Sequence, residues 1–205
     1  MNQAASVKEQ KRELRQRMLA ARKGIPAEQR GQLDNAINGH LASLHELESA
    51  PLVAAYMSDG FEPDLADTMK RVLNSGRRLC VPRSGADGSY GFAELKHLEP
   101  SALTTGQHSL KEPGPEAPEI RPEELKNAVW LVPGLAFGVA GARLGRGKGV
   151  YDRLLAGSCR FSIGVFYEFQ KCESLPEEGH DLGLDLIVTE HGIRDISSKR
   201  KGEGS

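Results

Sequence analysis

Sulfur and aromatic residues are scarce in this chain. Its three cysteines, Cys80, Cys159 and Cys172, are odd in number and form no CxxC pair. That argues against a disulfide framework and a thiol redox motif, and leaves buried or idle thiols in a reducing compartment. The histidines at 40, 45, 97, 108, 180 and 191 make no HExxH and no Cys/His cluster, so no structural zinc is expected. Aromatic residues are 5% of the chain, and Trp130 is the single tryptophan. Neither basic stretch, "KRELRQR" nor "RLGRGKG", interleaves an aromatic on which a base could stack. That weakens an RNA-binding reading, and no nucleic acid is expected as partner. Net charge is nearly absent too: 27 Lys+Arg against 28 Asp+Glu give −1, so an anion must be held by local clusters. No apolar run approaches the ~20 residues of a membrane span. The opening "MNQAASVKEQKRELRQRML" is charged and has no apolar centre, so no secretory leader is expected. A cytoplasmic monomer is the expectation.

What the chain has is length and punctuation. Its 205 residues suffice for one domain that hides roughly 70% of its unfolded surface. Residues 6–23 read as a helix, with Leu14 and Met18 at i, i+4, Ser6 as cap and Gly24 as stop. A second helix is predicted from Pro26 to about residue 48. "PLVAAYM", "RRLCVPR", "YGFAELKHL", "AVWLVPG", "RFSIGVFY" and "DLIVTE" read as strands, and "PDLADTMKRVLNSG" and "KGVYDRLLAG" as helices. Five prolines between residues 99 and 126 mark a long irregular connection. Strands alternating with helices predict a three-layer α/β domain over residues 1–197, with a mostly parallel central sheet flanked by helices. Residues 198–205, "RKGEGS" preceded by "SK", are too polar to pack and read as a disordered tail.

In parallel sheets ligands gather at the carboxyl ends of the strands. "AVWLVPG" runs directly into a segment, residues 132–155, that holds six glycines and four fixed positive charges. Gly145, Gly147 and Gly149 alternate with Arg146 and Lys148 behind Arg143. Glycine permits positive φ and close backbone approach, so successive N–H groups can converge on a phosphate that the cations then grip. Asp152 could hold Mg²⁺ against such phosphates. The pattern matches neither GxxxxGK[ST] nor GxGxxG. A solvated loop, with Asp152 as an ordinary exposed helix residue, is about equally compatible with composition alone.

"PGLAFGVAGARLGRGKGVYDRLL" resembles the signature of the 5-formyltetrahydrofolate cyclo-ligase family, close to PGLAFDxxGxRLGxGxGYYDRxL. "KRELRQRML", "YMSDGFEPD" and "HDLGLDLIVTE" extend the resemblance along nearly the whole chain. It implies that Lys11 and Arg15, with Arg143, Leu144, Gly145, Arg146, Gly147, Lys148, Gly149, Val150 and Tyr151, bind ATP. Met57, Glu62 and residues 146–150 would touch the folate, and Asp152 and Asp185 would hold Mg²⁺. Without the resemblance, Lys11 and Arg15 read as a solvated helix face, Glu62 as a first-turn acid, Met57 as strand core and Asp185 as a turn residue. The implied reaction is ATP-dependent cyclisation of 5-formyltetrahydrofolate to 5,10-methenyltetrahydrofolate, with a phosphorylated formyl oxygen and release of ADP and phosphate. Arg146, Lys148 and Glu62 would carry it. Such transfer needs positioning and charge neutralisation more than a nucleophilic side chain.

Two positions depart from the family pattern. Gly138 stands where an Asp is usual, and Val150 where a Tyr is usual. A Tyr ring against the folate would be worth ~1 kcal/mol. A non-catalytic nucleotide-binding regulator that kept the loop and lost the folate site is therefore the rival reading.

Overall fold

Apolar side chains alternate between two faces along the central strands, and both faces are buried, as a sheet covered on each side requires. In the strand Val129–Val132, Val129 and Leu131 join one core cluster while Trp130 and Val132 join another. Leu186 and Val188 likewise oppose Ile187. The computed structural model describes residues 6–85, 89–106, 110–147, 149, 151, 154, 161–176 and 183–196. Lys148, Val150, Asp152, Cys159 and the tail at 198–205 lie outside the described residues.

In chain order the elements begin with α1 (Val7–Lys23), α2 (Ala27–Ala42), α3 (His45–Glu48), β1 (Leu52–Ala54), α4 (Ala66–Asn74), β2 (Arg78–Ser84) and β3 (Tyr90–Glu94). Then come β4 (Leu103–Thr105), β5 (Lys111–Pro113), β6 (Glu119–Ile120), α5 (Pro122–Leu125), β7 (Val129–Val132), β8 (Ala136–Gly138) and β9 (Arg143–Leu144). β10 (Phe161–Val165), β11 (Lys171–Cys172), β12 (Leu186–Thr189) and β13 (Gly192–Asp195) complete the set. Among the described residues the main sheet has eight strands in the order β13-β12-β10-β7-β1-β2-β3-β6. The five strands from β12 to β2 are parallel, and the outer pairings are antiparallel. Numbered along the chain, the parallel strands run 2-1-3-4-5, so the winding reverses between β1 and β7. A crevice opens at such a reversal, outside the carboxyl ends of the strands.

The fold is the expected α/β domain, with helices against a mostly parallel central sheet. α2, α3 and α4 bury Ile37, Leu41, Leu47, Met69 and Val72 on one face. Leu125 of α5, Phe137 of β8, and Tyr151 and Leu154, both helical, pack on the other. The expected second helix is divided: Pro26 is its cap, and Ser43, whose Oγ donates to the His40 carbonyl, ends α2 before α3 begins. The "irregular" stretch 99–126 contains the β4–β5 hairpin, the short edge strand β6 and α5. The segment that reads as loop after β7 first folds into the β8–β9 hairpin, part of a three-stranded sheet β11-β8-β9. Gly141, at φ 87°, makes the hairpin turn. Leu14 and Met18 of α1 pack on Leu135, Ala136 and Leu144 of this small sheet rather than on the main one.

Close packing under the crevice depends on a glycine. A Cβ at Gly164 would come within 2.4 Å of Leu184 Cδ1 and 2.6 Å of Phe166 Cε2. The Phe166 ring is held in turn by Phe137, with centroids 4.9 Å apart. Gly164→Val should therefore cost about 1–3 kcal/mol through overpacking. Urea denaturation checks this, and an unchanged midpoint would mean that the two side chains yield freely.

Candidate active site

The crevice holds a cavity of ≈ 320 Å³. Tyr56 and Met57, just past β1, and Pro133 and Gly134, just past β7, form its floor. Arg143, Gly145, Arg146, Gly147, Gly149 and Tyr151 form one wall, Glu62 projects from the β1 side, and Tyr90, Leu110, Lys111 and Glu112 close the far side. The topology thus brings Met57 and Glu62 together with Arg143, Arg146 and Tyr151 from two separate segments.

At the centre are two carboxylates and two guanidiniums. Asp59 and Glu62 stand on the turn after β1, where Asp59 Oδ1 accepts from the backbone N–H of Phe61 (2.9 Å) and of Glu62 (2.8 Å). Ser58 Oγ donates to the Glu62 carbonyl at 2.8 Å, and Gly60, at φ 85°, supplies the left-handed residue the turn needs. Arg22, fully buried at the end of α1, donates from Nη2 to both Asp59 oxygens (3.3 and 3.2 Å) and from Nη1 to the Gly134 carbonyl (3.3 Å). Its Nη1 is also 3.6 Å from Glu62 Oε1. Arg146, on the glycine-rich loop, donates from Nη2 to Asp59 Oδ2 and to Glu62 Oε1, the latter at 3.2 Å.

The carboxylates titrate in opposite directions. Burial pushes the Glu62 carboxyl above the ordinary glutamate range, and Arg146 and Arg22 only partly oppose it. Burial acts on Asp59 in the same sense but is outweighed by the Phe61 N–H, Arg22 and Arg146, which hold it below the usual range. For Arg146, burial is outweighed by Glu62 and Asp59, and its guanidinium is held charged more firmly than usual. Burial likewise raises the Tyr151 phenol, whose ring lies 5.8 Å from the Arg143 guanidinium.

α1 delivers its cations through one stripe. Lys11, Leu14, Met18 and Arg22 follow at three- and four-residue steps and are all buried. Arg15 donates from Nε to the Gly145 carbonyl at 3.0 Å. A Cβ at Gly147, where φ is 86°, would meet the Arg15 guanidinium carbon at 3.1 Å. The close approach of α1 to the loop therefore needs glycine at 147 for space as well as for conformation. Leu144 is buried in the small sheet beside Leu14 and Met18, so its side chain faces α1.

Asp185 is not brought to this site. Leu186 pairs with Ile163, which sets Asp185 beside Ser162 at the amino ends of the strands. There its Oδ2 accepts from the Ser162 N–H (2.8 Å) and Oγ (2.9 Å), tying β12 to β10. In the β7 register that level is Trp130, three residues and about 10 Å short of Pro133. No group of three or more His, Cys, Asp or Glu among the described residues could hold a metal ion. Of the expected Asp152–Asp185 magnesium pair, Asp152 lies outside the described residues, and the register sets Asp185 at the amino ends of the strands, so the described donors alone do not form that site.

Asp59 and Arg22 were not singled out from sequence. The Asp59–Gly60 pair is a turn signal that could have drawn attention to the first. Arg22 lies four residues past Met18, on the inward face that Leu14 and Met18 already mark, and that spacing could have set it apart from the other cations of α1.

Fold and site together define an α/β enzyme domain with a cavity at the switch point beside a cationic, glycine-rich loop, where ligands gather in such sheets. A sequence model of the 5-formyltetrahydrofolate cyclo-ligase family matches residues 7–190. The 5-formyltetrahydrofolate cyclo-ligase of Mycolicibacterium smegmatis is 33% identical over 184 residues, covering 87% of this chain and 93% of that one. Among solved structures, the 5,10-methenyltetrahydrofolate synthetase of Aquifex aeolicus superposes with a TM-score of 0.79 at 33% identity, over 91% of this chain and 92% of that one. The synthetase of Mycoplasma pneumoniae gives a TM-score of 0.69 at 26% identity, over 88% of this chain and 98% of that one. The chain belongs to the 5-formyltetrahydrofolate cyclo-ligase family, a family of ligases. No helix among the described residues is long and apolar enough to cross a membrane.

Opposite shifts predict opposite consequences for two conservative substitutions. Asp59→Asn keeps the oxygen that accepts from the turn but leaves Arg22 buried without its main counter-charge, at a cost of about 3–5 kcal/mol. Glu62→Gln removes a charge that burial disfavours and should cost about 1 kcal/mol or less. The pH dependence separates them further. Asp59, with its folded value lowered, stabilises the fold at neutral pH, and this is lost as pH falls through that value. Glu62, with its folded value raised, does the reverse: the fold gains as pH falls through that value and loses as pH rises through it. Denaturation of both variants against pH tests this. Equal destabilisation of the two would show that the carboxylates are equivalent.

Proposed function

We propose that this chain catalyses the ATP- and Mg²⁺-dependent cyclisation of 5-formyltetrahydrofolate to 5,10-methenyltetrahydrofolate, with release of ADP and phosphate. The observation that carries the reading is the contact of Arg146, on the glycine-rich loop, with Glu62, on the turn after β1, across one cavity. A loop that grips phosphates thereby shares a pocket with a buried carboxyl group able to orient a polar substrate.

The chemistry sets what these groups must do. A formamide oxygen is a poor leaving group. In the proposed sequence that oxygen attacks the γ-phosphorus, the bond to the β,γ-bridging oxygen breaks, and ADP leaves. N10 then attacks the formyl carbon, loses its proton, and the C–O bond breaks to release phosphate. Arg146 and Arg143 neutralise charge that develops on the transferring group, and Lys148, outside the described residues, would add to them. Glu62 accepts a hydrogen bond from the folate or from N10 when ionised, and Met57 packs against the substrate. Lys11 and Arg15 steady the nucleotide side, where Arg15 already holds the Gly145 carbonyl. The magnesium dependence follows the family, and no step here is routed through the metal.

An absorbance assay for methenyltetrahydrofolate tests the reading directly. Product should form with ATP and Mg²⁺ and not without ATP. Arg146→Ala should lower kcat about 10²-fold, the usual effect of removing one donor to a developing charge. Wild-type protein that binds ATP yet forms no product would replace this reading with that of a nucleotide-binding regulator.

A further inference from the structure

The far wall of the cavity comes from a part of the chain that the glycine-rich signature does not include. β2 and β3 pair Cys80 with Glu94, Pro82 with Phe92 and Ser84 with Tyr90, so these six residues share one face of the sheet. On that face Phe92 meets Trp130 edge-on, with centroids 4.9 Å apart, inside the core. Tyr90 is two residues nearer the end of the ladder. It continues the aromatic row beyond the apolar core, is half-buried, and lines the cavity together with Pro82.

The backbone around Tyr90 is fixed on both sides. The turn before it is closed at its base by the Gly85 N–H, which donates to the Ser89 carbonyl at 2.8 Å. Glu112 of β5 accepts from the Ser84 N–H (3.1 Å) and from its Oγ (2.8 and 3.0 Å), joining the β4–β5 hairpin to the end of β2. Gly106 N–H donates to the Leu110 carbonyl at 2.9 Å and closes that hairpin in turn. A tyrosine on such a ladder offers a large ring with only two side-chain torsions to fix, so contact area comes at low conformational-entropy cost. Two further tyrosines line the cavity: Tyr56 is buried, with its hydroxyl on the Pro63 carbonyl at 2.9 Å, and Tyr151 packs on the core beneath Arg143.

We propose that Tyr90 is a substrate-binding residue whose ring stacks on a planar conjugated ring of the substrate, taking over the aromatic contact that Val150 does not offer. This rests on the proposed reaction and adds a specificity-determining residue to it. In the proposed reaction Arg143 and Arg146 serve the transferring phosphate, so a ring that serves the folate should change binding of the folate and not of ATP.

Binding of 5-formyltetrahydrofolate and of ATP is measured separately on wild type, Tyr90→Ala, Tyr90→Phe and Tyr90→Trp. Tyr90→Ala should weaken folate binding ~3–10-fold, the usual range for an aromatic contact, and leave ATP binding unchanged. Tyr90→Phe should retain wild-type folate affinity, because the ring and not the hydroxyl makes the contact. Tyr90→Trp should bind at least as well as wild type, and its added indole emission should be quenched by the folate and not by ATP. Wild-type folate affinity in Tyr90→Ala, or an equal loss for both ligands, overturns the assignment while leaving the proposed reaction intact. Wild-type protein that fails to bind the folate at all overturns the reaction and the assignment together.

Discussion

A fully buried guanidinium, that of Arg22, is the constraint on which the rest of the site depends. A charge removed from water must be met by opposite charge and by hydrogen-bond acceptors, or it costs several kcal/mol. Here the Asp59 carboxylate and the Gly134 carbonyl accept hydrogen bonds, and the nearby Glu62 adds charge. Those three partners sit on the turn after β1 and the turn after β7, on either side of the reversal in strand order. Satisfying Arg22 therefore fixes α1 against both turns and sets the width of the crevice. Gln170 supports the same place, since its Nε2 donates to the Gly134 and Leu135 carbonyls at 2.9 Å each. The carbonyls left over at the end of β7 are thus used to hold side chains around the site.

The carboxylates that neutralise Arg22 also hold Arg146, so the glycine-rich loop is tied to the same centre. Two guanidiniums share two carboxylates, and the opposite titration of Asp59 and Glu62 follows from how the bonds are divided. Asp59 takes the turn N–H groups and both arginines, which favours its charge; Glu62 is more deeply buried and takes less compensation. The ion network therefore contains one acid whose charged form the surroundings favour and one whose charge burial disfavours. In the proposed reaction the second is the group that faces the substrate, while the first keeps the cations in position. Incoming phosphate would compete with these carboxylates for Arg146, and Arg22 would still leave Asp59 neutralised.

Much of the architecture was legible because it follows from periodicity. "AVWLVPG" and "DLIVTE" can be buried strands and little else, and Leu14 with Met18 betrays the inward side of α1. Boundaries were less legible. "PLVAAYM" reads as one strand, yet only Leu52–Ala54 pairs, because Tyr56 and Met57 leave the sheet to line the cavity. The β8–β9 hairpin was missed because short apolar strands separated by glycine look like loop. In the site, Glu62, Arg143 and Arg146 were named through the resemblance, and the fold brings these three to one cavity. Arg22 was not named, although it continues the Leu14–Met18 stripe, since charge on a helix rich in Arg and Lys reads as a solvated face; Asp59 sits in a turn, the ordinary place for an aspartate. Asp185 was named through the resemblance alone; it directly precedes β12, and in the structure its carboxylate accepts from Ser162 at the amino end of that strand.

The central claim is that the cationic loop directs the γ-phosphoryl group of ATP onto the formyl oxygen held beside Glu62. The most direct measurement uses 5-formyltetrahydrofolate labelled with oxygen-18 in the formyl group, incubated with the protein, ATP and Mg²⁺. Mass analysis of the released phosphate should find the label transferred, one oxygen per phosphate. Label recovered in water, with unlabelled phosphate, would contradict the account and separate ATP hydrolysis from activation of the formyl oxygen.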